Sequence, residues 1–583
     1  MSDLHQSFAA GYASLSAWAD LLDRINVFPV ADGDTGTNLR ISLAPFRDCG
    51  EDRSLIPDLL ARAATGNSGN IAAAFFREFC RAENYSELAE KAASGRNSAW
   101  QAIADPRTGT MLTVFDSLAL VLAARAKVDE VENSYLPLSL ALQKAVRDTS
   151  QLLPELRKAG VVDSGALAMY IFFDGFFRHV TQQKDKPHSI LELFAGKLVI
   201  HSSFRPAVTN CFCVDVVIQR NDKHAAVKDS IAEMGESVVV VEDASMLKIH
   251  LHAPDLDQLR GRLGSFGDIV HWSAEEIDQG TAEHYADPGG KSALHIVTDA
   301  AGSLTRVMAR HQGITLLDSY IITGDSSRPE SLYRPEQLYA RMRKGVKITT
   351  AQASTYERHQ HYQCICQQFG SSLYLCVGSA FTGNYATAMA WKNDHDPDNL
   401  FTVMDTGAAS GRLALIALLT ARQAKIVDSP EEVIDFARKT ITDCVEFVFI
   451  DELKYLVAGG RVSRANGFLG DLLSMKPVIS PTSDGVRKLG VVHSRKGQLA
   501  FAIAKLKERF NGAANPVIML QYTDNEQWVT DIVRQQVEAL LPAAEIVLAP
   551  LSLTSGVHMG PGTWSIAFNS AEGGELQPRN RHF

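Results

Sequence analysis

Residues 25–40 read INVFPVADGDTGTNLR, and the centre of that stretch, DGDTGTN at 32–38, sets Asp32 and Asp34 one residue apart among glycines, threonines and an asparagine. Like charges so close repel unless something positive sits between them. A divalent cation is the natural candidate, and an ordinary Asp/Gly turn is the competing reading. A calcium loop of the EF-hand kind needs Gly at its sixth position and Glu at its twelfth. Counted from Asp32 those positions hold Thr37 and Leu43, so that reading fails. No Walker A sequence occurs in the surrounding region to serve a phosphate.

Outward from this stretch, residues 1–190 read as helical. DSLALVLAARAKVDEVEN (116–133), LPLSLALQKAVRDTSQLL (136–153) and SGALAMYIFFDGFFRHV (164–180) are apolar at helical spacing, without strand-like alternation. Three more polar, glycine-containing segments open helices: ATGNSGN (64–70), DPRTGTMLT (105–113) and VVDSGALA (161–168). Backbone amides at a helix N-terminus suit a phosphate. Four such starts, one of them the paired-Asp stretch, weigh more than any single one.

The texture changes after the polar segment 181–189. Between 195 and 285, KLVIHS (197–202), CFCVDVVIQ (211–219), SVVVVED (237–243) and MLKIHLHAP (246–254) are short and β-branched, hence strand candidates. Two helix candidates, 224–235 and 255–267, each end at a glycine, and the alternation points to a small α/β sandwich. On a strand, residues i and i+2 share a face. His250 and His252 can therefore converge, and a cysteine on a neighbouring strand can complete a zinc set. Apolar packing of Cys211 or Cys213, with the histidines on backbone partners, is the alternative.

A second linker, YADPGGKSAL at 285–294, precedes the last region. There ALHIVTD, SLYLCVG and LFTVMD alternate with helical runs, the pattern of a wound parallel sheet. The strands and helices from CVEFVFIDELKYL onward add a second lobe. Small hydroxyl residues and glycines stand where strands hand over to helices, where open α/β sheets bind ligands.

Bulk properties narrow the class. At roughly 100–200 residues per domain, 583 residues make three or four domains. The net charge is −10 with no long basic run, so nothing argues for nucleic acid as a partner. No basic segment followed by an apolar block opens the chain, and no run approaches ~18 apolar residues. Eight cysteines in this length do not make a disulfide scaffold. A cytoplasmic protein is expected.

The pattern NVFPVxDGDTGTN, with GNSG and GTxLT in order behind it, resembles the ATP-binding (DhaL-like) domain of the dihydroxyacetone kinase family, in its fatty acid kinase branch, over residues 1–190. The resemblance implies an all-helical barrel holding ATP and two magnesium ions. Asp32 and Asp34 would ligate metal and serve catalysis, with Asn26 at the place of a third polar ligand. Thr35, Thr37 and Asn38 would lie near the phosphates, Asn67, Ser68 and Gly69 would contact them, and Thr110 and Met111 would adjoin the nucleotide. Asp163 and Gly165 fall in the last loop. The chain departs from the family at Thr65, where an arginine is expected before GNSG, and at Ser164 and Ala166.

Residues 195–285 resemble the middle domain of fatty acid kinases, which carries a Cys and a His-x-His motif. The resemblance implies zinc on Cys213, His250 and His252. Residues 293–575, with YL…GGR and HxGPG, resemble the DegV family of fatty-acid-binding proteins. This implies a two-lobed α/β domain with one acyl chain in an apolar tunnel. Thr350, Ser379, Arg461 and His558 would hold its carboxylate, Arg461 also acting in catalysis. Ala351, Ala353, Thr382 and Asn384 depart from the usual TSQPS and LSGTY.

Together these resemblances imply a fatty acid kinase that passes the γ-phosphate of ATP to a bound fatty acid and yields an acyl phosphate. A homodimer and a transient membrane contact are further expectations. The alternatives are a fatty acid carrier or sensor regulated by ATP, and a kinase for a small ketone such as dihydroxyacetone.

Overall fold

The computed structural model describes residues 4–47, 53–125, 135–183, 185, 188–206, 211–220, 227–242, 245–277, 292–324, 326–458, 475–510 and 515–569. They fall into two compact units, Met1–Asp287 and Pro288–Phe583. Among the described residues no helix is long and apolar enough to cross a membrane.

The described residues of the first unit open with helices α1 (Leu4–Arg24), α2 (Thr35–Ser42), α3 (Ile56–Ala63), α4 (Gly66–Phe79), α5 (Leu88–Ala102), α6 (Met111–Arg125), α7 (Tyr135–Leu152), α8 (Pro154–Ala159) and α9 (Ser164–Val180). Their core is built of phenylalanines. The runs AAAFFREF on α4 and IFFDGFF on α9 turn rings inward at helical spacing. Phe75 stacks on Phe115 of α6 at 4.0 Å between centroids, and Phe8 of α1 stacks on Phe46 at 4.7 Å. All four polar, glycine-containing segments stand at helix starts, those of α2, α4, α6 and α9.

The same unit continues into a four-stranded sheet of β1 (Phe212–Arg220), β2 (Glu236–Glu242), β3 (Met246–Ala253) and β4 (Gly267–Glu276), in the antiparallel order β2-β3-β1-β4. Val214, Val216, Ile218, Ile249 and Leu251 bury one face with Leu259 and Leu263 from the helix Leu256–Leu263. Two sequence expectations change here. Residues 197–202 form no strand. Val162 N–H donates to the Lys197 carbonyl and His201 N–H to that of Ala159, so this stretch meets the α8–α9 turn rather than a sheet edge. Val199 is 71% exposed. β4, by contrast, has no counterpart among the strand candidates; its mixed run GDIVHWSAEE is held as a strand by pairing with β1.

The sheet is tied to the helices at several points. Ala104 N–H, after α5, donates to the Val238 carbonyl of β2 at 3.0 Å. Lys248 of β3 donates to the carbonyls of Ala61 and Ala64, at the C-terminal end of α3.

The second unit holds three sheets among its described residues. The first comprises β5 (His295–Asp299), β6 (Ile314–Leu317), β10 (Ser372–Cys376) and β11 (Phe401–Asp405), parallel throughout in the order β11-β10-β5-β6. An antiparallel trio consists of β7 (Tyr320–Thr323), β8 (Ser326–Pro329) and β9 (Ile348–Ala351). The third sheet, order β14-β13-β12-β17-β15-β16, uses β12 (Cys444–Phe449), β13 (Lys476–Thr482), β14 (Gly485–Val492), β15 (Val517–Tyr522), β16 (Glu545–Pro550) and β17 (Trp564–Asn569). The helix Ser410–Ala424 is apolar nearly all round, as a helix buried on every side must be. It shares one core with Leu373 and Leu375 of the first sheet and Met519 and Ala567 of the third.

Candidate functional site

A cavity of about 560 Å³ in the first unit is walled by the starts of α2, α4, α6 and α9 on one side and by the middle sheet on the other. Asp32, Asp34, Asn26 and Thr35 line it, as do Asn67 and Ser68 of α4. Thr110, Met111, Asp163 and Gly165 contribute from the α6 and α9 starts, and His250 and His252 from β3.

Burial pushes the Asp32 carboxyl up to about 6, and burial together with the charge of Asp32 pushes Asp34 well above the carboxylate range. Asp23 adds to both. Such a cluster is costly as anions alone and suited to a hard cation bound by oxygens. Asn26 donates its amide to Asp32 at 2.6 Å, while its own oxygen accepts from Ser164 at 3.4 Å. Asn26 thus orients Asp32 through nitrogen. Asp163 caps α9 by accepting from Ala166 N–H at 2.7 Å, and burial raises its carboxyl to about 7.

Gly66 opens α4 with φ +65, and a Cβ there would meet the Asn38 amide at 2.0 Å. The tight turn brings the first α4 residues to the cavity wall. The Ser68 hydroxyl is buried there with no hydrogen-bond partner among the described residues, as a side chain awaiting an anion would be. Thr37 and Gly69 are turned elsewhere, while the Asn38 side chain hydrogen-bonds Asp34. Thr37 donates its N–H and hydroxyl to Asp23 at 3.0 and 2.8 Å, Asn38 packs beneath Gly66, and Gly69 lies against Ser42. The hydroxyl of Thr110 donates to the Arg107 carbonyl at 2.9 Å.

Across the cavity, Cys213 pairs in register with His252, and Asp215 with His250. Cys213, His250 and His252 bring three potential ligand atoms within 4.8 Å of one another. His250 Nε2 and His252 Nδ1 are buried and lack partners among the described residues. Burial and the neighbouring imidazole lower His252 to about 3, keeping it neutral as a metal ligand must be. Burial raises the Cys213 thiol, and the charges of Asp215, Asp34 and Asp32 raise it further. A cysteine sulfur and two imidazoles, each ring with a buried nitrogen that has no partner among the described residues, fit a zinc-type ion.

Sequence reasoning passed over Asp215, which accepts from Thr65 Oγ1 at 3.0 Å, Gly66 N–H at 3.1 Å and Asn70 Nδ2 at 3.2 Å, and lies 3.3 Å from His250 Nδ1. Its only sequence signal is its place two residues beyond Cys213, on the same strand face.

In the second unit, Thr350 Oγ1 on β9 lies 3.2 Å from His558 Nε2 on the helix Leu553–Met559. That helix adds Leu553 and Val557 to an apolar cluster with Tyr333, Leu338 and Met342. Ser379 is exposed after β10, its N–H donating to Asp405 at 3.1 Å. Arg461 lies outside the described residues, as does most of the 285–294 linker.

The chain is multidomain, a helical N-terminal region with a buried carboxylate cleft followed by a C-terminal α/β region. Three family models match it in succession: the DAK2 domain over residues 29–178, the FakA-like middle domain of fatty acid kinase over 209–284, and the DegV family over 293–571. This domain content fits fatty acid kinase and fatty acid binding. Similar curated proteins include an uncharacterized protein of Staphylococcus haemolyticus, 28% identical over 295 residues (46% of this chain, 53% of that protein). Protein YloV of Bacillus subtilis is 26% identical over 296 residues (46% and 54%). The chain thus spans about half the length of the curated relatives it matches. Similar solved structures include a DegV family protein from Thermus thermophilus described by its fatty acid binding (23% identity, TM-score 0.45, 48% of this chain, 99% of that one). Another is DegV of Bacillus subtilis, described as a fatty acid binding protein (19%, 0.44, 48% and 100%).

Proposed function

We propose that the protein is a fatty acid kinase, transferring the γ-phosphate of ATP to a fatty acid carboxylate. A carboxylate oxygen attacks the γ-phosphorus, the bond to the β,γ-bridging oxygen breaks, and ADP leaves with an acyl phosphate as the other product. The single observation that carries this reading is the convergence of Asp32 and Asp34 with the α2, α4, α6 and α9 starts around one cavity.

A fatty acid is ionised at neutral pH, so its oxygen needs no general base. Catalysis then rests on alignment and on neutralising charge. Asp32 and Asp34 would hold magnesium, which when bound offsets the charge of the phosphates. Asn26 keeps Asp32 aimed, and the Ser68 hydroxyl with the backbone N–H groups of Asn67 and Ser68, beyond the Gly66 N–H that Asp215 occupies, binds phosphate oxygens. Asp163 keeps the α9 start fixed by its cap. Cys213, His250 and His252 would hold zinc, which supplies positive charge beside the aspartates. Thr350 and His558 hold the acid's carboxylate by hydrogen bonds, joined by Ser379 and Arg461, which sequence alone assigns. A protomer pair would be the working form.

The test is ADP release with purified protein, Mg-ATP and added fatty acid. The reading expects ADP in step with fatty acid consumed. ADP formed equally without fatty acid, or none at all, contradicts it.

A further inference from the structure

Asp215 binds both sides of the cavity at once. Oδ2 accepts from the Thr65 hydroxyl and from Gly66 N–H, the first amide of α4. Oδ1 accepts from Asn70 and lies against His250 Nδ1. A carboxylate has about four lone-pair sites, so these four contacts exhaust it. Asp215 therefore has no site left to ligate a metal or accept a substrate proton; its capacity is spent on holding.

What it holds is specific on each side. A His250 Nδ1–H donated to Asp215 leaves Nε2 as the lone-pair atom, and Nε2 is the ring nitrogen buried without a partner among the described residues. This is the carboxylate–histidine arrangement that fixes an imidazole for a metal. On the other side the carboxylate sits at the positive end of α4. Thr65 is anchored from behind as well, its N–H donating to Ser42 Oγ at 3.0 Å. The turn that carries Asn67 and Ser68 to the cavity is thus clamped between Ser42 and Asp215. Lys248, on the same sheet, meets the C-terminal carbonyls of α3 with the opposite charge.

We propose that Asp215 is a positioning residue that couples the Cys213–His250–His252 cluster to the phosphate-side turn at 65–70. An ion on His250 Nε2 would make Nδ1–H a stronger donor to the same carboxylate that fixes Gly66, so metal occupancy and nucleotide affinity would form one linked equilibrium. Linkage makes the effect reciprocal. This rests on the reading of the cavity as a nucleotide site, and its test needs no transfer.

The experiment uses the full-length chain and two ligands, zinc and Mg²⁺ with a non-hydrolysable ATP analogue. Zinc affinity is read by competition with a chromophoric chelator, and analogue affinity is read with zinc present and stripped. In the wild type, stripping zinc is expected to weaken analogue binding. In Asp215→Asn, zinc affinity is expected to fall ~10- to 100-fold, and analogue affinity is expected to stop responding to zinc. Thr65→Val guards against a fold defect, because it deletes one donor to Asp215 from the helical side and touches no cluster residue. It is expected to cost ~2- to 10-fold in zinc affinity, at most the size of one hydrogen bond, with the melting temperature lowered by only a few degrees. A wild type whose analogue binding ignores zinc overturns the proposal. So does a folded Thr65→Val with wild-type zinc affinity, or an Asp215→Asn that keeps the wild-type response. If ADP release fails while the zinc response and its loss in Asp215→Asn hold, the coupling stands and the transfer reading falls.

Discussion

Cys213 stands directly opposite His252 across the β1–β3 pair, and two residues along the strand Asp215 stands opposite His250. The pleat puts both pairs on the face that looks into the cavity, which His250 and His252 line. Removing one ligand of three should therefore empty the cluster. Cys213→Ser is expected to lower zinc affinity by at least the ~10- to 100-fold that outer-shell losses bring. Metal analysis of the purified protein checks this, and zinc retained at wild-type level would show that the cluster holds none.

Asp32 and Asp34 share one buried site, so each is needed to hold a cation there. Asp32→Asn and Asp34→Asn are each expected to reduce transfer by ~10²-fold or more, the scale for removing a preorganised charge-stabilising group. Fatty acid carried by the second unit is expected to remain. Product formation and mass spectrometry of copurified lipid, measured on the same samples, separate the two effects.

Gly66 has φ +65 and a would-be Cβ 2.0 Å from the Asn38 amide. Gly66→Ala therefore meets backbone strain of ~1–3 kcal/mol, with a steric clash in addition. A lower melting temperature and weaker nucleotide binding are expected, both measurable by thermal shift with and without Mg-ATP.

Thr350 and His558 are within hydrogen-bond distance of each other in the second unit. Thr350→Val keeps shape and removes the hydroxyl. It is expected to weaken fatty acid binding ~2- to 10-fold while leaving nucleotide affinity unchanged, as fluorescent fatty acid displacement would read.

Glu330 is buried and accepts from Thr554 N–H and hydroxyl at 2.6 and 2.7 Å. Burial raises its carboxyl to about 7; Thr554 opposes this, and the charges of Asp318 and Asp299 reinforce it. A folded-state value above the ordinary 4.5 means the folded chain holds the proton more tightly. The stability from this group is complete below the ordinary value and is lost as pH rises through about 7. Thermal unfolding is expected to show that loss between about pH 5 and 8, and Glu330→Gln should flatten it.

The helix starts were legible in the sequence because glycines and hydroxyl residues stand immediately before apolar runs of helical period. The Cys213–His250–His252 set was legible for a similar local reason, since the i, i+2 spacing of a strand fixes a shared face. Asp215 was not, because its partners Thr65, Gly66 and Asn70 lie about 150 residues away, and no local pattern reports docking of a sheet on a helix start. The orientation of Thr37 toward Asp23 was hidden because the two stand on different helices, α1 and α2, and helical period within each does not report which side chains meet between them. The stretch 197–202 misled because β-branched residues make a strand only where an edge is open to pair, and here the α8–α9 turn takes its hydrogen bonds.

The central claim is phosphoryl transfer to a carboxylate, and trapping the acyl phosphate tests it most directly. The full-length protein is incubated with Mg-ATP, a fatty acid and hydroxylamine, and the fatty acyl hydroxamate is measured by mass spectrometry. The account predicts hydroxamate with the wild type and a loss of at least ~10²-fold with Asp34→Asn. No hydroxamate from a wild type that binds both Mg-ATP and fatty acid, or undiminished product from Asp34→Asn, would contradict it.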